Sequence, residues 1–135
     1  MQVSRWRLNV IRGILVVGII MGLYFGISNL FLTKSHFESS APAGEAFTTF
    51  IDGHMKTEGL LFLSWAVAAA IALRNALQNT GLIYAIAIVF GLLGVETLYG
   101  VVAEMIPATD SAYGAVSIVM CVALLVLYPR RQAQS

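Results

Sequence analysis

The sequence predicts an all-α polytopic membrane protein, an antiparallel bundle of four transmembrane helices. Three observations predict it. Hydrophobic residues make up 59% of the chain and charged residues only 11%, against about 25% charged in an ordinary soluble domain. That leaves too few charges to coat a water-facing surface, and the mean hydropathy of +0.83 agrees. Apolar stretches of spanning length recur four times between short polar breaks, and all three prolines fall outside them, where no intrahelical donor is needed. At 135 residues there is room for one domain, residues 1–135.

The first span, residues 9–32, reads NVIRGILVVGIIMGLYFGISNLFL; Gly13 to Leu32 are twenty residues without a charge, about 30 Å of helix, which matches a bilayer core. A cleaved signal peptide competes, because Ala41-Pro42-Ala43 resembles a small-residue cleavage site. Signal cores run to about 7–15 apolar residues, so the uncleaved reading is preferred. Residues 33–53 form the longest polar stretch, and Ser39, Ser40, Pro42 and Gly44 mark it as a loop on the outer side. From Glu45 onward Phe47, Phe50, Ile51 and Met55 have helical spacing, so a helix is expected to begin before the membrane.

The second span, residues 54–77, is the weakest by length. Gly59 to Leu73 supplies only fifteen uncharged residues, about 22 Å, so spanning requires taking in His54–Glu58 at one end and Arg74–Leu77 at the other. The third span runs over residues 81–106 and ends at Pro107. The fourth covers residues 111–128, closed by Pro129-Arg130-Arg131. Short connections after spans two and three make consecutive helices antiparallel neighbours.

Lys and Arg placement sets the orientation. Arg5, Arg7, Arg12, Arg74, Arg130 and Arg131 fall on one side and Lys34 and Lys56 on the other, which predicts cytoplasmic N- and C-termini. The acids divide the same way. Glu38, Glu45, Asp52, Glu58, Glu96, Glu104 and Asp110 all fall in the outer half, giving it +2 − 7 = −5 against +6 inside.

Every span contributes polarity to that outer end, whereas Ile14–Ile20, Val67–Leu73, Ala85–Leu93 and Met120–Leu127 are almost wholly aliphatic. The pattern predicts an outward-facing polar pocket floored by a hydrophobic plug, with His54, Glu58, Glu96, Tyr99, Glu104 and Asn29 as its candidate ligand- or proton-binding residues. Glu96 is the sharpest of these. A charge at mid-membrane costs about 2.5–3.5 kcal/mol, so it should face protein and be partnered or hold a proton. Its functional use is a proton or cation site; its plainer use is an inter-helix clamp. His54 and Glu58 share a helix face at i, i+4, with Trp65 on that face too, while Lys56 points away and can pair with Asp52. One histidine with scattered acids is a poor metal signature, since bundle metal sites use paired Glu-x-x-His; no metal and no cofactor is read from the chain.

Gly18, Gly22 and Gly26 repeat at four-residue spacing in GIIMGLYFG, a bare face for close helix packing within the bundle or, alternatively, for a homodimer seam. The Ala66–Ala72 run is the natural neighbour within the chain. Trp6, Tyr99, Tyr113 and Tyr128 have the spacing of an aromatic interface belt. Cys121 is the single cysteine, which excludes an internal disulfide and a CxxC redox centre. No nucleophile motif, phosphate loop or nucleic-acid patch occurs.

The glycine-rich first span, the entry DGHMKTEGLLFLSWA and the third-span string GLLGVETLYG give a plan that resembles the small bacterial four-helix membrane proteins of the DoxX-like kind. That resemblance implies a multi-pass protein of the bacterial inner membrane, in some cases an accessory subunit, and carries over no catalytic residue. Small multidrug transporters fit less well, having an acid in their first span, as do vitamin K epoxide reductase-like enzymes, which need paired cysteines. The expectation is therefore a non-enzymatic bundle that binds a lipophilic small molecule or accompanies a membrane-protein partner, with membrane lipid around it. The alternatives are a proton-coupled small transporter using Glu96 and, behind it, an enzyme using His54, Glu58 and Glu96.

Overall fold

The computed structural model describes residues 4–41 and 44–128. Arg130 and Arg131 of the charge count, and Pro42 and Pro129, lie outside the described residues. Five α-helices follow one another: α1 (Arg5–Phe31), α2 (Thr33–Ser40), α3 (Thr49–Arg74), α4 (Thr80–Val102) and α5 (Ser111–Leu127), with a 3₁₀ turn at Ala108–Asp110 leading into α5. Four of them, counting α5 together with its 3₁₀ turn, are long and apolar enough to cross a membrane. No strand occurs among the described residues.

The short second span is rescued as its length demanded. α3 starts at Thr49, where Thr48 Oγ1 accepts the Ile51 N–H at 3.2 Å and Asp52 in the first turn complements the helix dipole. The helix then runs 26 residues, about 39 Å, so its polar first turns supply the missing length. Two boundaries differ from expectation. The segment read as a loop contains α2, which buries Thr33 and Phe37 at i, i+4 and ties Thr33 Oγ1 to the Asn29 carbonyl at 2.8 Å. α4 ends at Val102 rather than Ile106. There Glu104 takes φ 59°, the Met105 N–H bonds back to the Gly100 carbonyl at 2.8 Å, and the Glu104 N–H bonds to that of Val101 at 3.1 Å. This six-to-one, five-to-two pattern closes a helix without a proline, so the chain turns before Pro107 is reached.

The bundle is made of two tight antiparallel hairpins, α1 with α3 and α4 with α5; contacts between the hairpins are sparse. Within each, two glycine backbones cross. A methyl group at Gly26 would stand 3.1 Å from the Gly59 carbonyl oxygen, and one at Gly59 would stand 3.0 Å from that of Gly26. In the second hairpin the corresponding approaches are 2.8 Å for Gly94 against Gly114 and 3.1 Å for the reverse. Gly22 also belongs to the first seam, against Phe62 and Ala66, so the glycine face serves packing within the chain. Gly18 does not: it makes only ordinary contact, with Phe90 and Trp65.

The hairpins meet in one half of the molecule. The core joining them is Ile11, Leu15, Trp65, Ala69, Ala72, Ile83, Ile86, Phe90 and Leu124 with their neighbours, all toward the end that carries Arg5, Arg7, Arg12 and Arg74. We call this the basic end. Tyr128, expected in an interface belt, is instead 3% exposed there; its hydroxyl donates to the Ala76 carbonyl at 3.0 Å, and Thr80 Oγ1 lies 3.0 Å away. Toward the opposite, acidic end the buried positions of the four long helices are small or polar: Gly22, Gly26, Ser28, Asn29, Gly59, Gly94, Gly114 and Ser117. Outward-facing Ile20, Val102 and Val126 are 61%, 82% and 70% exposed, as lipid-facing residues should be.

The crossings set a testable contrast. Gly94→Ala forces a methyl into the Gly114 backbone and should destabilise by about 1–3 kcal/mol. Gly18→Ala meets ordinary contact distances and should stay within about 0.5 kcal/mol of the parent. Thermal unfolding of the two variants in the same micelles measures the difference; equal losses would remove the crossing as the determinant.

Candidate functional site

Because the hairpins join only in the basic half, clefts open between them toward the acidic end. The largest, about 490 Å³, lies between α3 and α4 and is lined by Glu58, Leu61, Phe62, Trp65, Val89, Leu93 and Glu96. Its lower limit is the contact of Trp65 with Phe90, edge to face with ring centroids 4.8 Å apart. Glu58 and Glu96 are reached from two different helices, and no lysine or arginine is among the lining residues.

The six residues singled out from the sequence do not form one pocket. Glu58 and Glu96 share the α3–α4 crevice. His54 stands one turn above Glu58, its Nε2 3.1 Å from Glu58 Oε1, with the Phe50 ring stacked beside it. Asn29 is buried in the seam of the first hairpin against Gly59, where its Oδ1 has no hydrogen-bond partner. Tyr99 is exposed on the outer face of α4, and Glu104 is exposed at the turn that closes it. Neither lines a cleft. Glu96 differs from expectation in a second way: it is exposed rather than enclosed, and no ion pair holds it among the described residues. The cause is the splay of the hairpins, which leaves the α4 face beside α3 uncovered at that level. The Lys56–Asp52 pair forms as its spacing predicts, with Nζ 2.6 Å from Oδ2.

A second pair of clefts lies on the other flank. Tyr24, Phe25, His36, Thr97, Ile106, Asp110 and Tyr113 surround about 330 Å³. Tyr113 also lines an apolar groove of about 320 Å³ between α1 and α5, with Val17, Met21, Val116 and Met120. His36 reaches this place because α2 folds back over the end of α1, bringing its ring to 6.1 Å from Phe25 and 6.4 Å from Tyr24. Sequence reading misses His36, which sits in what reads as a loop; the buried i, i+4 pair Thr33 and Phe37 is the signal that could have placed it. It also misses Trp65 Nε1, a buried donor with no partner.

Among the described residues no three His, Cys, Asp or Glu side chains are grouped to hold a metal ion. Cys121 is half-buried, its Sγ packed beside Gly91 across the second hairpin. The arrangement therefore offers apolar slots with polar mouths and no assembled reactive group. No protein-family model, curated protein or solved structure matches the chain.

The two crevice carboxylates contribute little to folding. Glu58 meets only His54, in an exposed pair, and Glu96 meets nothing. Glu58→Gln and Glu96→Gln should each change stability by less than about 1 kcal/mol. Thermal melts in micelles check this; a larger loss for Glu96→Gln would reveal a structural clamp.

Proposed function

We propose that the protein is a non-enzymatic membrane bundle that binds a lipophilic small molecule in the α3–α4 crevice, acting alone or as an accessory subunit of a membrane complex. The single observation that carries this reading is the uneven packing of the molecule. Large side chains fill the basic half, while the acidic half leaves a slot of about 490 Å³ with apolar walls and polar groups at its mouth. Binding sites for small molecules have this character, at roughly 300–1,000 Å³. The lysine and arginine bias favours seating in the bacterial inner membrane with the acidic end outward, which matches the plan of DoxX-like proteins. The slot then opens at the level of the outer leaflet.

Photolabelling tests the reading. An alkyl-diazirine alcohol added to the protein in micelles should label the crevice walls around Phe62 and Leu93 saturably, and Leu93→Trp, which fills the slot, should suppress that labelling. Labelling spread evenly over outward residues such as Val102 and Val126 would sink it.

One observation favours a second reading, proton-coupled transport. Glu96 is unpaired at membrane depth and shares its crevice with Glu58, itself in contact with His54. Intramembrane acids of this kind serve proton relays in transporters. Liposomes under an imposed pH gradient decide it: flux that vanishes in Glu96→Gln supports transport, and flux indifferent to that change removes it.

A further inference from the structure

We infer that the occupant of the α3–α4 crevice is an amphiphilic organic cation carrying an oxygen acceptor next to its charged group, an acylcholine-like molecule in chemical class. The inference rests on the lipophilic-ligand reading above and names the ligand. The crevice has two carboxylates and no lysine or arginine among its lining residues, and Glu96 has no ion-pair partner. An uncharged chain seated there would strip water from two acids and return nothing, and an anion would be repelled. A cation compensates both. The walls suit it as well: Phe62 and Trp65 present neighbouring aromatic rings, centroids 6.2 Å apart, and alkylammonium groups are held by aromatic faces.

Trp65 supplies an independent sign. It lines the crevice, is only 7% exposed, and its indole N–H has no acceptor. Buried donors are almost always paired, so an occupant with an oxygen at this depth completes the site. The carboxylates lie nearer the acidic end than Trp65 along both helices: Glu58 is seven residues before it in α3, and Glu96 six residues beyond its contact Phe90 in α4. The ligand is thereby oriented, with its charge toward the mouth, its oxygen at the level of Trp65 and its chain along the apolar flank.

A matched set of ten-carbon probes tests this by equilibrium dialysis against the full chain in maltoside micelles, with protein-free micelles as the blank. The probes are decanoylcholine, decyltrimethylammonium, decanoate and monodecanoin. Decanoylcholine should bind saturably and about tenfold more tightly than decanoate or monodecanoin. Glu58→Gln and Glu96→Gln should each weaken it roughly three- to tenfold, with melting temperatures showing that both variants are folded. Trp65→Phe keeps a ring but loses the N–H, so it should weaken decanoylcholine and leave decyltrimethylammonium unchanged. If decanoate and monodecanoin bind as well as decanoylcholine and the Gln variants make no difference, the cation assignment falls while a lipophilic site stands. If Trp65→Phe affects the two cations equally, the acceptor assignment falls. If no probe binds above the blank, both the ligand class and the binding function are overturned.

Discussion

The close approach of helix backbones at Gly26–Gly59 and Gly94–Gly114 is the constraint on which the rest of the molecule depends. Between helices in lipid no hydrophobic force draws apolar surfaces together, so association relies on contact area and on backbones that can come near one another. Glycine at both partners of each crossing permits this, and it does so in the acidic half of both hairpins. Helices that touch there within a hairpin present few large side chains to the other hairpin at the same level. The joining residues, Phe90, Trp65, Ile83 and Leu124, are displaced to the basic half. Tight hairpins and open clefts are thus two consequences of where the small residues lie.

Much of this was legible in the sequence. The four spans, their antiparallel order, the extension of the second span through His54–Glu58 and the pairing of Lys56 with Asp52 all follow from charge-free length and i, i+4 spacing. What the sequence does not express is which helix faces meet. Glycines at regular spacing announce one seam, yet Gly94 and Gly114 lie on different helices with no shared local pattern, and their crossing is a property of the assembled hairpin. The same limit explains Glu96. An acid inside a span is read as enclosed because burial in lipid is costly, but whether the neighbouring helix covers it depends on how the hairpins splay. Tyr128 fails in the opposite sense: its position suggests an interface belt, while its hydroxyl is needed by the Ala76 carbonyl at the turn between α3 and α4.

The position of Glu96 can be weighed energetically. It lies six residues from the last residue of α4, about 9 Å along the axis, well short of the bilayer centre where the full insertion cost applies. A glutamate there reaches polar surroundings without being enclosed. Its cost is therefore modest, and so is its structural return, since it pairs with nothing among the described residues. Glu58 is comparable, holding only an exposed contact to His54.

Two acids that are inexpensive to keep yet contribute little to stability differ from the buried clamp expected of an intramembrane carboxylate. A clamp would be partnered, and its partner would come from the facing helix. Here the facing helix contributes a second acid, so the pair cannot satisfy itself and repels across the gap it lines. That repulsion opposes closure of α3 onto α4 at the acidic end, while the Trp65–Phe90 contact holds the same two helices together below. The crevice is thus held open by like charge at its mouth and fixed by aromatic packing at its floor. A species that enters it with positive charge relieves the repulsion that keeps it open, so the same two carboxylates that prop the slot apart also select what can draw its walls together.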